Sequence, residues 1–384
     1  MKRPVGALLS LLAVTIAFVL PSLSARAAEP IKIGFYGPLT GPLAVACLPA
    51  KRAVELAVKQ VNEKGGVLGR PIEVIYADTK FDNNESIRIV NRFIRSDKVA
   101  AVLGDFTSTG TMATLSITQR ANIPHMDYNA NSTAITNSGY NHIFRLVVNS
   151  HQLYSGLASY AQKKLGVKRV AIMGWDDDFG RANVDAFTKY QKTSKAFEIV
   201  ALEWYNVNTK EFKGLLSKVL AQKPDSIILT GAIGDSALIV KQARELGYQG
   251  MFLGDGGQSI LPFRNIAGPS ADGTVVATQY VPHYYKNPLA VAFDKQWAEM
   301  KYESDPWSSH AYDAFMLLLD AVQRAGTTDG PKVIAALRAT KDWQGVTGTT
   351  NFYPDGDVEK PVFMQKWVDG KLTPLEPVQA PFRN

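Results

Sequence analysis

Ser108 and Thr109 follow Gly104-Asp105-Phe106-Thr107 and open a helical pattern. Side-chain hydroxyls and free backbone N–H groups then meet where a helix dipole favours an anion, a corner suited to a carboxylate. A plain N-cap would use the same residues. Much later in the chain, Asp235 opens another helical pattern after Gly231-Ala232-Ile233-Gly234, as a carboxylate that either holds a cation or caps its own helix. Asn129-Ala130-Asn131-Ser132-Thr133 adds amides and hydroxyls. Trp175-Asp176-Asp177-Asp178-Phe179-Gly180, which also reads as a solvated loop, and Gly254-Asp255-Gly256-Gly257 add acids. Donors gather in the first half and carboxylates in the second. Opposed walls of that kind suit a small zwitterion.

The elements between these loops alternate. Ile31 to Tyr36 reads as a strand that stops at Gly37-Pro38, and residues 50–62 carry apolar positions 53, 54, 57, 58 and 61 on one helical face. Strands at 72–77, 99–103 and 123–128 and helices at 84–96 and 109–121 repeat the unit. A second run follows, with helices at 151–165, 180–193, 210–222 and 235–246 and strands at 169–174, 197–205, 226–230 and 250–253. Such alternation predicts parallel sheets covered on both faces, hence an α/β chain with two Rossmann-like lobes. The remainder (a strand at 273–280, helices at 289–302, 309–325 and 330–339, short strands from 350) is too poor in strand for a third core. Its helices are expected to join the first lobe and its last strands the second, with a multi-strand hinge between. The boundaries follow as 28–147 plus 280–358 for the first lobe and 148–279 plus 359–384 for the second. Ligands bind beyond the carboxyl ends of parallel strands, which is where the loops above lie.

Composition narrows the function classes. With 46% hydrophobic and 20% charged residues the chain is a globular one. Met1-Lys2-Arg3, an uncharged run from Val5 to Leu20, and Ala25-Arg26-Ala27 make a signal peptide over residues 1–27, too short in its apolar part to be read as a spanning helix. Removing Lys2, Arg3 and Arg26 takes the 42 basic residues to 39 against 35 acidic, a balance that does not suggest nucleic-acid binding. One cysteine, Cys47, allows no internal disulfide, and the five histidines show no zinc-helix spacing, so neither a metal nor a cofactor is expected.

Taken in order, several segments carry a family resemblance: Ile31-Lys32-Ile33-Gly34 with Pro38-Leu39-Thr40-Gly41-Pro42, Val61 through Glu73, Tyr76-Ala77-Asp78, Leu103-Gly104, Ile123-Pro124, Phe144-Arg145, Phe179-Gly180, Asn265-Ile266-Ala267-Gly268 and Ala311-Tyr312-Asp313-Ala314. The chain resembles the leucine/isoleucine/valine-type (branched-chain amino acid) substrate-binding proteins of ABC transporters over essentially its whole length after residue 27. The resemblance implies a type I periplasmic-binding fold. It also implies a periplasmic monomer that is not an enzyme, captures an amino acid between two lobes, closes on it, and delivers it to an inner-membrane ABC permease.

It further implies ligand-binding roles. Ser108, beside Thr107, would hold the ligand carboxylate with backbone groups at Asn129, next to Ala130. Asn131 stands where a Thr is usual and would bond through its amide. Asp235 would pair with the ligand ammonium, while Phe106, Phe179 and Trp307 supply aromatic surface. Ala46-Cys47-Leu48-Pro49 replaces the usual aromatic and glycine and would enlarge the side-chain end, favouring an apolar or aromatic side chain at least as large as that of leucine. An aromatic carboxylic acid or small amide is the alternative ligand. The Gly234-Asp235-Ser236-Ala237 run resembles the Gly-Asp-Ser motif of one esterase group and makes a secreted esterase using Ser236 the remote alternative, although no Asp-x-x-His follows it.

Overall fold

The computed structural model describes residues 28–384 apart from positions 232, 382 and 384. The expected signal peptide, residues 1–27, lies outside the described residues. The chain begins β1 (Ile31–Gly37), α1 (Ala44–Glu63), β2 (Ile72–Asp78), α2 (Asn83–Arg92), β3 (Ala101–Leu103), α3 (Ser108–Arg120), β4 (His125–Asp127) and β5 (Ile143–Arg145). It continues α4 (Ser150–Lys163), β6 (Arg169–Trp175), α5 (Asp178–Ser194), β7 (Glu198–Tyr205), α6 (Lys213–Ala221), β8 (Ser226–Thr230), α7 (Ile233–Glu245), β9 (Met251–Gly254), α8 (Leu261–Ala267) and β10 (Val275–Thr278). It ends α9 (Pro288–Glu299), α10 (Pro306–Ala325), α11 (Gly330–Arg338), β11 (Trp343–Gly345), β12 (Gly348–Thr350), β13 (Val362–Val368) and β14 (Lys371–Val378).

β2, β1, β3, β4 and β5 form one sheet in that order, parallel throughout. The second sheet runs β14-β13-β10-β9-β8-β6-β7, parallel from β10 to β7, with β13 and β14 added antiparallel at the edge. Central strands such as β8, buried at all five positions, are apolar on both faces because helices cover both. In the first sheet Ile33 and Phe35 pack against Val54 and Ala57 of α1 and Leu318 of α10. α9 lies on the same side, its Phe293 and Trp297 packed with Ala53 and Leu56 of α1. β11 and β12 pair only with each other.

Helix starts explain most of the differences from the expected boundaries. α1 begins at Ala44, ahead of the expected residue 50, and carries Pro49 inside it, where the missing N–H leaves the Val45 carbonyl without its helical donor. α10 begins at Pro306 because Asp305 caps it, accepting from the N–H groups of Trp307 and Ser308, with proline in the first turn. α7 begins at Ile233, so Asp235 sits within its first turn. β5 has no counterpart in the expected strands.

The chain passes between the sheets at residues 145–150, 278–288 and 350–362. Arg145, at the end of β5, meets Asp357 with Nη2 and Oδ2 2.9 Å apart, and both side chains are wholly buried. Asp357 also accepts from Nδ2 of Asn149 at 2.7 Å, and Asn149 caps α4. One carboxylate thus fastens the first crossing to the third. Among the described residues no helix is long and apolar enough to cross a membrane.

Candidate functional site

A cavity of about 90 Å³ opens between the carboxyl ends of the two sheets. Its first wall is built by the loops after β3 and β4. Thr107 caps α3, its hydroxyl accepting from the N–H of Gly110 at 3.1 Å, which leaves Ser108 as the first helical residue. The Ser108 hydroxyl, 2% exposed as a residue, accepts from the N–H of Ser132 at 3.2 Å. Asp127 shapes the neighbouring loop by accepting the N–H groups of Asn129 and Ala130 at 2.9 and 2.8 Å. Asn129 donates through Nδ2 to the Phe106 carbonyl at 2.8 Å. Asn131 reaches across to Asn183 of α5, Nδ2 to Oδ1 at 3.4 Å.

Trp175, Asp177, Phe179 and Asp255 are the main side chains of the opposite wall. Asp177 caps α5, accepting from the N–H of Gly180 at 2.8 Å. Asp255 accepts from the Tyr154 hydroxyl at 2.7 Å and from the N–H of Gly257 at 2.9 Å. Burial pushes both carboxyls up to about 6, above the ordinary carboxylate range. Gly231 borders the cavity without a side chain, since a Cβ there would collide with the Tyr205 hydroxyl.

Aromatic rings close the remaining sides. Phe81, from the loop after β2, stacks on Trp175 of the second sheet with centroids 5.7 Å apart and planes 14° off parallel. Phe179 meets Trp175 edge-on at 6.5 Å, and Phe106 meets Trp307 at 6.1 Å. Leu43, just before α1, and Ala46 within it line the cavity at the Ala46 to Pro49 departure that was expected to enlarge it, and Phe81 lines the cavity too.

Of the residues expected to bind ligand, Phe106, Thr107, Ser108, Asn129, Asn131, Phe179 and Trp307 line this cavity. Ala130 and Asp235 do not. The backbone of Ala130 is held by Asp127, as above. Asp235, 4% exposed, stands behind the indole of Trp175, whose Nε1 donates to Oδ2 at 3.1 Å. Burial raises the Asp235 carboxyl and the charge of Lys210 opposes that rise. Ser236 is wholly buried, donates weakly to the Gly231 carbonyl and receives Nε2 of Gln258 at 3.1 Å. Neither of these partners is an imidazole or a carboxylate of the kind that takes a proton from a nucleophilic serine.

Phe81 and Gln279 are wall residues that the sequence did not single out, while Trp175, Asp177 and Asp255 lie in loops it placed at strand ends without a ligand role of their own. The rule that loops after parallel strands hold the ligand points to Phe81 once it is applied to β2, and to Asp177 and Asp255 directly.

Two open parallel sheets, crossed three times by the chain and facing one cavity with donors on one wall and acids on the other, define a bilobal ligand-capture protein. The family model described as periplasmic binding protein matches residues 30–371. The chain belongs to that family, whose members are binding proteins rather than enzymes. A Leu/Ile/Val-binding protein homologue of Brucella melitensis is 26% identical over 348 residues, covering 90% of this chain and 94% of the relative. The crystal structure of a leucine binding protein, LivK, from Thermotoga maritima superposes with a TM-score of 0.86 at 26% identity, over 91% of this chain and 99% of that one. The branched-chain amino acid transporter substrate binding protein LivJ from Streptococcus pneumoniae, solved in complex with isoleucine, gives 0.84 at 26% identity over 91% and 100%.

Proposed function

We propose that this protein captures a free amino acid with an apolar or aromatic side chain in the periplasm and delivers it to an inner-membrane ABC permease. One observation carries the choice of ligand. Among the described residues the cavity wall includes the carboxylates of Asp177 and Asp255 and no lysine, arginine or histidine. A ligand that is only an anion would meet uncompensated acids there, whereas an α-ammonium supplies the missing charge. Ser108, with the amides of Asn129 and Asn131, supplies donors for the carboxylate, and the rings of Phe81, Phe106, Trp175, Phe179 and Trp307 receive the side chain. The names of the relatives, which refer to leucine, isoleucine and valine, support the same class.

In this reading Asp177 and Asp255 take the ammonium, and Asp235 acts behind them by fixing the indole of Trp175. The lobes are residues 28–147 with 280–358 and residues 148–279 with 359–384, each organised around one sheet. Contacts to both walls make the closed arrangement the one that binds best, so ligand shifts the population toward it. The chain is exported by residues 1–27, cleaved after Ala27, and works as a monomer.

Calorimetry of ligand-stripped protein with L-leucine, L-phenylalanine and 4-methylpentanoate tests the ligand class, with binding of an amine-bearing probe expected. Binding of 4-methylpentanoate alone would overturn it. Small-angle scattering with saturating ligand should show compaction; an unchanged radius of gyration would remove the closure step.

A further inference from the structure

Gln279 is the first residue after β10, on the second chain crossing, and no sequence motif drew attention to it. It is 8% exposed and lines the cavity. Its Oε1 is buried and has no hydrogen-bond partner among the described residues. Buried acceptors are nearly always paired, so an unpaired one in a binding wall marks a place for a donor from outside the chain.

Strand register says what stands beside it. Val275 pairs with Leu253 and Val276 with Gly254, and past the strand ends Thr278 stays beside the turn after Asp255, its Oγ1 3.7 Å from where a Cβ on Gly256 would stand. Gln279, the next residue after Thr278, lines the same cavity as Asp177 and Asp255. The donor that fits beside carboxylates is a cationic one. A primary ammonium has three N–H groups directed apart, and Asp177 and Asp255 account for two of them.

We propose that Gln279 is the third acceptor for the ligand ammonium and that it makes the site selective for primary α-amines over N-alkylated ones. The proposal rests on the amino-acid reading above. Carboxylates accept from an ammonium more strongly than an amide does, so two N–H groups go to Asp177 and Asp255 and the third substituent on nitrogen faces Gln279. When that substituent is hydrogen, Oε1 is satisfied. When it is methyl, the acceptor stays buried and unpaired against an apolar group, which sites of this kind reject.

The test is calorimetric titration of the full mature chain with L-leucine, N-methyl-L-leucine and 4-methylpentanoate, for wild type, Gln279→Leu and Gln279→Met. Wild type should prefer L-leucine to its N-methyl form by roughly ten- to a hundredfold. Both variants should lose most of that preference, binding L-leucine more weakly and N-methyl-L-leucine more tightly, with 4-methylpentanoate little changed. A preference that survives in variants with unaltered thermal melting would overturn the proposal. Should neither variant fold, equal wild-type affinities for the two amines would overturn it, and the expected preference would support it. Wild type that binds 4-methylpentanoate but neither amine would instead bring down the amino-acid reading.

Discussion

The Asp235 carboxylate accepts from the indole Nε1 of Trp175 at 3.1 Å, and the indole stands between that acid and the cavity. On the proposed reading Asp235 acts on a ligand only through the ring it orients. Asp235→Ala should weaken L-leucine and 4-methylpentanoate by the same factor, about two- to tenfold for one hydrogen bond, while Asp235→Asn, which keeps an acceptor, stays near wild type. Asp255→Asn should behave differently, costing L-leucine about ten- to a hundredfold and sparing the acid without an amine. Titration calorimetry separates the two patterns, and an amine-specific loss in Asp235→Ala would return the ammonium contact to that residue.

Acid should release an amine-bearing ligand. Asp177 and Asp255 are both pushed up to about 6 by burial and must be ionised to hold a cation. Well above that value both are charged and affinity is flat; below it each gains a proton, and L-leucine affinity should fall about tenfold per pH unit for each carboxylate in contact. A carboxylic acid without the amine should show no such fall. Affinities measured from about pH 7 down to about pH 5 check the sign.

Phe81 carries a positive φ of 60° and stacks on Trp175 from the opposite sheet. Phe81→Ala should weaken every ligand by about two- to tenfold through loss of the stacked ring. Because only glycine adopts that backbone freely, Phe81→Gly should be more stable than Phe81→Ala by about 1 kcal/mol in thermal or urea unfolding.

The buried pair of Arg145 and Asp357 should show a large single-mutant effect. Arg145→Met or Asp357→Leu leaves an unpaired charge out of water and should cost about 3–5 kcal/mol of unfolding free energy. The double variant leaves neither charge and should be no less stable than either single one. Urea titration measures all three.

Much of this architecture was legible because it rests on periodicity. β8 at Ser226–Thr230 matches the expected strand residue for residue, and the loop from Gly104 to Thr111 was found from its position between a strand and a helix. The three-residue strand β5 escaped, unlike the equally short β3 and β4, because no α-helix separates it from β4 and the alternation that marks the others is broken there. Asp235 illustrates a different limit. A helix start fixes where a carboxylate begins its path, but whether it meets solvent, ligand or an indole depends on Trp175, sixty positions away. Gln279 left no local signal either, since its unpaired oxygen is a property of its surroundings in space rather than of the residues around it in the chain.

The joint between Arg145, Asp357 and Asn149 acts as a pinned axle. Arg145 and Asp357 both belong to the first lobe and Asn149 opens the second, so sliding one half past the other would pull the Asn149 amide off a buried carboxylate. Rotation of the flanking backbone leaves the pin intact. The motion that this joint permits is a swing about the crossings, and such a swing would part Phe81 of one half from Trp175 of the other.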